Sequence, residues 1–143
     1  MRISRRWFIA AILAAGVFRF ALSVAGVADA VVKYVSMTAL IIAGTIYFGV
    51  VCTSHKERLK TAYLLILPYM VVEIAALGYT WMTGRMTIFH APQYSLGSSI
   101  AVHTIGHLVG GLTWEPLIVF AMMEIVGKLY RGGRKLLRAD AES

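Results

Sequence analysis

Four stretches of apolar residues are separated by polar or basic connections along the chain. The first runs from Trp7 to about Val27 and the second from about Tyr34 to Thr53. The third runs from about Thr61 to Met82 and the last from about Thr113 to Tyr130. Each approaches the ~20 residues that a helix needs to cross a hydrocarbon layer ~30 Å thick, and a helix satisfies its own backbone polar groups in lipid. The pattern predicts an all-α integral membrane protein with four transmembrane helices.

The positions of lysine and arginine predict the orientation of these helices. With four crossings, only Lys33 and Arg85 among the flanking cations fall on one side. The other side receives eleven: Arg2, Arg5, Arg6, Lys56, Arg58, Lys60, Lys128, Arg131, Arg134, Lys135 and Arg138. Because cytoplasmic loops carry the excess of basic residues, we expect both termini in the cytoplasm and the chain in the inner or plasma membrane.

Composition supports the membrane class. The chain has 143 residues, of which 59% are hydrophobic and 15% charged, whereas an ordinary soluble domain has roughly 25% charged residues. The net charge of +7 comes from short blocks beside apolar segments, a pattern that argues against a nucleic-acid partner. We expect residues 1–130 to form the bundle. Residues 131–143 should form a basic juxtamembrane segment, drawn to anionic headgroups, and a short disordered tail.

The N-terminal sequence also resembles an export signal. Arg5 and Arg6 stand before an apolar stretch, and the sequence VADA, at 27–30, is similar to a cleavage site. Arg19 interrupts the apolar stretch, however. We therefore expect the segment to be retained as the first helix.

An amphipathic segment, 98–112, lies in the long connection before the last helix. Its small and polar residues recur at helical spacing on one face: Ser99, His103, Gly106, His107 and Gly110. We expect an interfacial or re-entrant helix on the non-cytoplasmic side, ended at Gly110 and Gly111, with Thr113 as the N-cap of the next helix. The alternative is one unbroken helix from Ser98 to Tyr130.

Two residues of opposite charge lie within apolar segments. Arg19 and Glu73 are each about 12 residues from the cytoplasmic end of their segment, so both should lie roughly 18 Å deep. An ionised group at the centre of a membrane helix costs at least ~2.5–3.5 kcal/mol and is usually buried in the bundle. We therefore expect an ion pair, with a structural role and a functional role both open.

Polar residues near Glu73 extend this feature into a predicted pocket. Tyr69 and Thr80 share its helical face, and a re-entrant helix would bring His103 and His107 into the same half of the membrane. The predicted pocket or transport site consists of Arg19, Tyr69, Glu73, Thr80, His103 and His107.

The remaining titratable residues receive simpler interpretations. Glu124 precedes Lys128 by four residues, so a helix-surface pair is expected, and His55 and His90 should be solvated in loops. His103 and His107, at i and i+4, could bind a divalent metal or supply one axial ligand to haem. Nothing nearby completes such a site, so no cofactor is the simplest expectation. Cys52 is expected to be buried and inert.

Three functions remain open. The first is an oligomeric ion, proton or small-solute channel or transporter, in which Glu73 and the histidines change charge. The second is a non-enzymatic accessory or scaffold subunit that binds a membrane protein partner. The third is a redox protein that binds metal or haem through His103 and His107. The sequence contains no nucleophile elbow or phosphate-binding loop, so an enzyme is not expected.

Overall fold

A computed structural model of the chain describes residues 3–25, 30–83, 102, 105–106 and 108–141, with backbone alone at 23, 30–36, 80 and 139–141. Almost all of these residues lie in four helices: α1 (Arg5–Val24), α2 (Ala30–Val51), α3 (His55–Thr83) and α4 (Trp114–Ala141). Within those ranges there is no strand. The prediction of an all-α fold is confirmed.

The helices form a bundle in which α1 and α4 lie diagonally opposite each other. Helix α1 packs against α2 and α3, and α4 packs against the same two helices, whereas α1 and α4 share no contact among the described residues. The principal core is formed by ten buried residues: Ile12, Met37, Phe48, Cys52, Ala62, Leu65, Ile66, Met70, Val119 and Met123. A smaller cluster, at the other end of α1 and α3, contains Ala76 and Leu77 with Phe20 packed against them.

The turn between α2 and α3 has only three residues, and α3 begins at His55, earlier than the apolar pattern suggested. Ser54 caps the helix, since its hydroxyl accepts a hydrogen bond from the Glu57 backbone N–H at 3.2 Å. The Glu57 carboxylate in turn accepts one from the Thr53 N–H at 3.3 Å. This reciprocal pairing is close to a capping box, and it lets the polar first turns of α3 form before the apolar segment near Thr61.

The segment before α4 is helical where it is described, so Gly110 and Gly111 do not end a helix there. Residues 108–112 are helical, and Thr113 alone forms a turn before α4 begins. The Thr113 hydroxyl donates to the Val109 carbonyl, so it is not the N-cap that we expected. From residue 108 onward this arrangement resembles the unbroken-helix alternative with a local kink, and residues 98–101 of that alternative lie outside the described residues.

Pro116 explains why the helix is interrupted at Thr113. A proline has no N–H for the carbonyl four residues earlier, which here belongs to Leu112. The hydroxyl of Tyr63 on α3 donates to that carbonyl at 3.2 Å. Close packing fixes the kink, because a Cβ on Gly111 would overlap the side chain of Met70.

Helix α4 continues past Tyr130, where we expected it to end, and reaches Ala141. The basic segment that begins at Arg131 is thus helical, and the helix reaches Ala141, into the last residues, where a short disordered tail was expected. Leu, Lys, Arg and Ala are strong helix formers, and they dominate these turns. Arg134 also lies 5.9 Å from the ring centre of Tyr130, one turn earlier.

One helix among the described residues, α3, is long and apolar enough to cross a membrane by length and composition. Half of its most apolar 18-residue stretch is buried in the bundle. A shorter apolar stretch, Met37–Val51, lies within α2. The outer faces of the helices expose many large apolar side chains, including Phe18, Ile46, Val71 and Ile125. The fold is therefore an all-helical bundle, and its four membrane crossings remain a proposal.

Candidate functional site

Arg19 of α1 and Glu73 of α3 form a buried ion pair. The Nη1 atom of Arg19 lies 3.0 Å from Oε1 of Glu73, and the two residues are 5% and 4% exposed. Their burial and contact are those expected from their matching positions in the two apolar segments. The same guanidinium nitrogen lies 3.8 Å from the sulfur of Met37 on α2, so three helices meet at this pair.

Small residues on α1 bring the two charged groups together. A Cβ on Gly16 would lie 2.6 Å from Cγ2 of Val72, so α1 and α3 approach each other closely one turn from Arg19. This close approach agrees with the expectation that small residues flank the arginine. The contact fixes the depth and the rotation of α1 relative to α3, which in turn sets the ion-pair distance.

Aromatic and apolar side chains pack near the pair on α1 and α3. The ring of Phe20, next to Arg19 in sequence, meets the ring of Tyr79 edge to face at 5.3 Å between centroids. Phe20 also packs against Ala76 and Leu77. The pair itself is almost fully buried, and a low local dielectric strengthens the attraction between the two charges.

The two members of the pair differ in their acid–base chemistry. A guanidinium remains protonated in proteins, whereas a carboxylate can take up a proton and become a hydrogen-bond donor. Glu73 supplies a counter-charge 3.0 Å from Arg19. Since a buried charge is unfavourable without compensation, the pair holds α1 in place against α3.

The other residues of the predicted pocket are only partly placed. Tyr69 lies on α3 one turn before Glu73 and packs, half-buried, against the principal core. The side chain of Thr80 and both histidines, His103 and His107, lie outside the described residues. The structure thus brings together Arg19 and Glu73, and leaves the predicted histidine contribution a prediction.

A second charged cluster, which sequence reasoning missed, lies at the start of α3. Arg58 is 1% exposed, and its Nη1 donates to Oε1 of Glu124 at 2.9 Å. Its Nη2 donates to the carbonyl of Cys52 at 2.8 Å. His55 Nδ1 also lies 2.8 Å from the same Glu124 oxygen. The cluster joins the α2–α3 turn to α4.

This cluster corrects two expectations. The Glu124 carboxylate is held by Arg58 and His55 of α3, whereas a pair with Lys128 on its own helix was expected. His55 is the first residue of α3 and, although 80% of its side chain is exposed, it contacts Glu124. No local sequence pattern predicts that Arg58 contacts Glu124, which lies 66 residues further along the chain. The one available signal is the Ser54-x-x-Glu57 spacing, which predicts a helix start there.

Two glycines allow this second cluster to form. A Cβ on Gly127 would lie 2.7 Å from Nη2 of Arg58 and equally close to the carbonyl oxygen of Gly49. Helices α2 and α4 therefore cross at a point where neither carries a side chain, and Arg58 occupies the space beside them. Its Nε and Glu124 Oε2 are buried without a hydrogen-bond partner.

A cavity of about 400 Å³ opens at the same end of the bundle. It lies between the start of α1 and the α2–α3 turn, and its walls include Arg5, Arg6, Phe48, Cys52 and Glu57. Arg5 Nη2 lies 3.9 Å from Oε1 of Glu57 and 3.6 Å from the sulfur of Cys52. Cys52 is buried, as expected.

Within the described ranges, no three His, Cys, Asp or Glu side chains are grouped closely enough to hold a metal ion. His103 and His107 lie outside those ranges, so their proposed ligand role is untouched by this observation. Comparison with protein-family models, curated proteins and solved structures found no significant match to this chain.

Proposed function

We propose that this chain is a multi-pass protein of the inner or plasma membrane that forms an oligomeric ion, proton or small-solute channel or transporter. The buried pair of Arg19 and Glu73 is the observation that carries the proposal. Ionisable residues inside apolar membrane helices are costly, and they mark ion and proton pathways in many membrane proteins. Here both charges lie between helices whose outer faces are apolar.

The proposed cycle depends on the chemical difference between the two groups: the carboxylate of Glu73 can be protonated, whereas the guanidinium of Arg19 keeps its charge. Glu73 takes up a proton and releases Arg19, and α1 then shifts against α3 until the carboxyl loses its proton on the other side. The guanidinium also lies near the sulfur of Met37, which is a weak acceptor, and Glu73 is its charged partner on α3. Tyr69, Thr80, His103 and His107 are the proposed polar groups along this route.

Several copies of the chain would be needed for a continuous pathway. The principal core fills the space between the four helices with apolar side chains. A pathway for ions or protons would therefore lie between subunits, or would open only after the helices rearrange. The exposed apolar residues Ile42, Ile46 and Val71 provide surface for lipid or for a neighbouring subunit.

Proton and ion flux into liposomes tests the proposal. Wild-type protein should give flux above that of empty liposomes, and Glu73→Gln should abolish it because the carboxyl can no longer titrate. Glu57→Gln is the matched control, since Glu57 is an exposed carboxylate at the start of the same helix. Absence of flux in the wild type, or unchanged flux in Glu73→Gln, would count against a transporter.

A non-enzymatic accessory subunit is the second candidate. The observation in its favour is that the two arginines buried within the described ranges bridge helices: Arg19 joins α1 to α3, and Arg58 joins α3 to α4. Such pairs could serve only to fix helix register. In that case the wild type would show no flux, and the variants would lose co-purification with a partner.

The haem or metal hypothesis is tested separately by an absorption spectrum and metal analysis of protein purified from its native host. A band or a stoichiometric metal that disappears in His107→Ala would favour it over both other functions.

A further inference from the structure

The last turns of α4 project beyond the bundle. Gly127 is the last α4 residue buried against α2 and α3, and every described side chain at 128–138 is exposed. The helix nevertheless continues to Ala141, so about 14 residues, or roughly 21 Å of helix, extend past the other three helices. We call residues 128–141 the projecting helix.

The projecting helix has two chemically different faces. At 100° per residue, its large apolar side chains fall within an arc of about 120° and its cations within another, centred nearly opposite. The apolar residues are 44% to 72% exposed: Leu129, Tyr130, Leu136 and Leu137. The cations are Lys128, Arg131, Arg134, Lys135 and Arg138, and no acidic residue occurs in 128–138.

The apolar face continues a stripe that begins on the bundle itself. Ile118, Met122 and Ile125 lie on the outer side of α4, and each is between 44% and 58% exposed. Leu129 and Leu136 follow at the same helical spacing. The outer side that would face lipid in the proposed membrane bundle is therefore continued, past Gly132 and Gly133, by the apolar face of the projecting helix.

We propose that the projecting helix lies on the cytoplasmic surface of an anionic membrane, with its leucines among the acyl chains and its cations at the headgroups. Opposed apolar and basic faces are the composition of interfacial helices, and the five cations complement anionic lipids. This inference rests on the proposed membrane location, but it does not require that the chain transports anything.

Two glycines allow the helix to turn onto that surface. Gly132 and Gly133 lie early in the projecting helix, and a Cβ at either would meet nothing within 4 Å. No close packing therefore requires glycine here. Glycine pairs are a recognised site of helix bending, so this pair suits a bend between the bundle axis and the membrane plane.

A second copy is a poorer occupant of the apolar face. A coiled coil needs an apolar seam sustained over at least three or four heptads, and the projecting helix offers about two. Its apolar face is also interrupted at Gly133, and two such helices would bring ten cations near one another, without an acid at 128–138 to pair with them.

The test uses the full chain in nanodiscs, with Cys52→Ser to leave one reactive thiol. Leu136→Cys reports the apolar face and Lys135→Cys, its neighbour, reports the basic face. With a zwitterionic lipid alone both thiols should react with a water-soluble maleimide. When anionic lipid is included, Leu136→Cys should be protected and Lys135→Cys should still react.

Replacing Arg131, Arg134 and Lys135 with glutamine in the Leu136→Cys protein should abolish this protection. Each cation held at an anionic surface contributes about a fivefold gain in association, so the triple variant should associate up to about a hundredfold more weakly. Equal reactivity of both thiols in both lipid mixtures would overturn the proposal. Protection of Leu136→Cys in both mixtures, with crosslinking between copies, would overturn it in favour of a second copy.

The outcomes separate this inference from the proposed function. A chain that fails to enter nanodiscs would refute the membrane location on which both rest. A chain that enters them but leaves Leu136→Cys reactive would refute surface docking alone. A variant that loses thiol protection but keeps its flux would show that transport does not depend on surface docking. A variant that loses flux but keeps its protection would show that surface docking does not depend on transport.

Discussion

Two side chains, Arg19 and Glu73, hold opposite charges only 3.0 Å apart in surroundings that exclude most solvent. Removing one partner takes away the counter-charge 3.0 Å from the other, and breaking a buried pair in this way destabilises a protein by about 3–5 kcal/mol. We expect Glu73→Gln and Arg19→Met each to lower the free energy of unfolding by that amount in detergent, as measured by circular dichroism during chemical denaturation.

The double variant Arg19→Met with Glu73→Leu tests whether the two single losses arise from the same contact. Well-packed apolar residues often replace a buried ion pair without loss of stability. The double variant should therefore recover most of the stability that either single variant loses. Additive losses would show that the two residues do not depend on each other.

Gly127 provides a second prediction at the residue scale. A Cβ there would meet Arg58 Nη2 and the Gly49 carbonyl oxygen, both at 2.7 Å. Gly127→Ala should lower stability by about 1–3 kcal/mol, the usual cost of overpacking. Gly132→Ala is the matched control in the same helix, since nothing lies within 4 Å of its Cβ position. The control should be neutral or stabilising by up to ~1 kcal/mol, and a similar loss in both would contradict the packing argument.

At the scale of single elements, the kink before α4 depends on Pro116 and Tyr63. Tyr63→Phe removes the hydroxyl that donates to the Leu112 carbonyl, and it should cost about 0.5–1.5 kcal/mol. Pro116→Ala restores a backbone N–H for that carbonyl. In the Pro116→Ala background, the same tyrosine change should therefore cost less, and a double-mutant cycle of unfolding free energies measures the difference. An unchanged cost would refute this account of the kink.

The start of α3 gives the second element-scale prediction. Ser54→Ala removes the hydroxyl that accepts from the Glu57 N–H, and the loss of an N-cap costs about 0.5–2 kcal/mol. Thr53→Ala is its control, because Glu57 contacts only the backbone N–H of Thr53. Thermal unfolding of the two variants should differ, and equal midpoints would show that the cap contributes little.

The elements that sequence predicts well here are those with a local signal. Long, largely apolar runs locate all four helices, and the matched depths of Arg19 and Glu73 predict their contact. The end of α4 was misplaced because a change from apolar to basic residues marks where a bundle ends, whereas a helix ends only where its backbone pairing ends. The kink near Thr113 was misjudged because glycines alone do not end a helix when a neighbouring helix packs against them.

The cluster of Arg58, Glu124 and His55 could not be predicted in the same way. Its partners are far apart in the chain, and several basic residues near Arg58 are equivalent by sequence. Only the crossing of α2 and α4 at Gly49 and Gly127 determines which cation is buried. Long-range choices of this kind depend on helix packing, which a periodic pattern does not specify.

For the molecule as a whole, the two buried arginines divide the bundle into two regions. Arg58 ties α3 to α4 at the end where the chain reverses, and Arg19 ties α1 to α3 at the other end. The Arg58 cluster includes an exposed histidine, His55, whereas aromatic and apolar side chains pack near the Arg19–Glu73 pair. On our proposal, the Arg58 cluster anchors the bundle and the Arg19–Glu73 pair changes its charge.

The most direct test of the central claim is liposome flux through the double variant Arg19→Met with Glu73→Leu. This variant should retain its fold, as checked by the unfolding measurements above, but it lacks both charges. If the pair is the titrating centre of a transporter, the folded double variant should give no more flux than empty liposomes. Flux at the wild-type rate from the same variant would show that the pair only holds the helices together, and would contradict the proposed function.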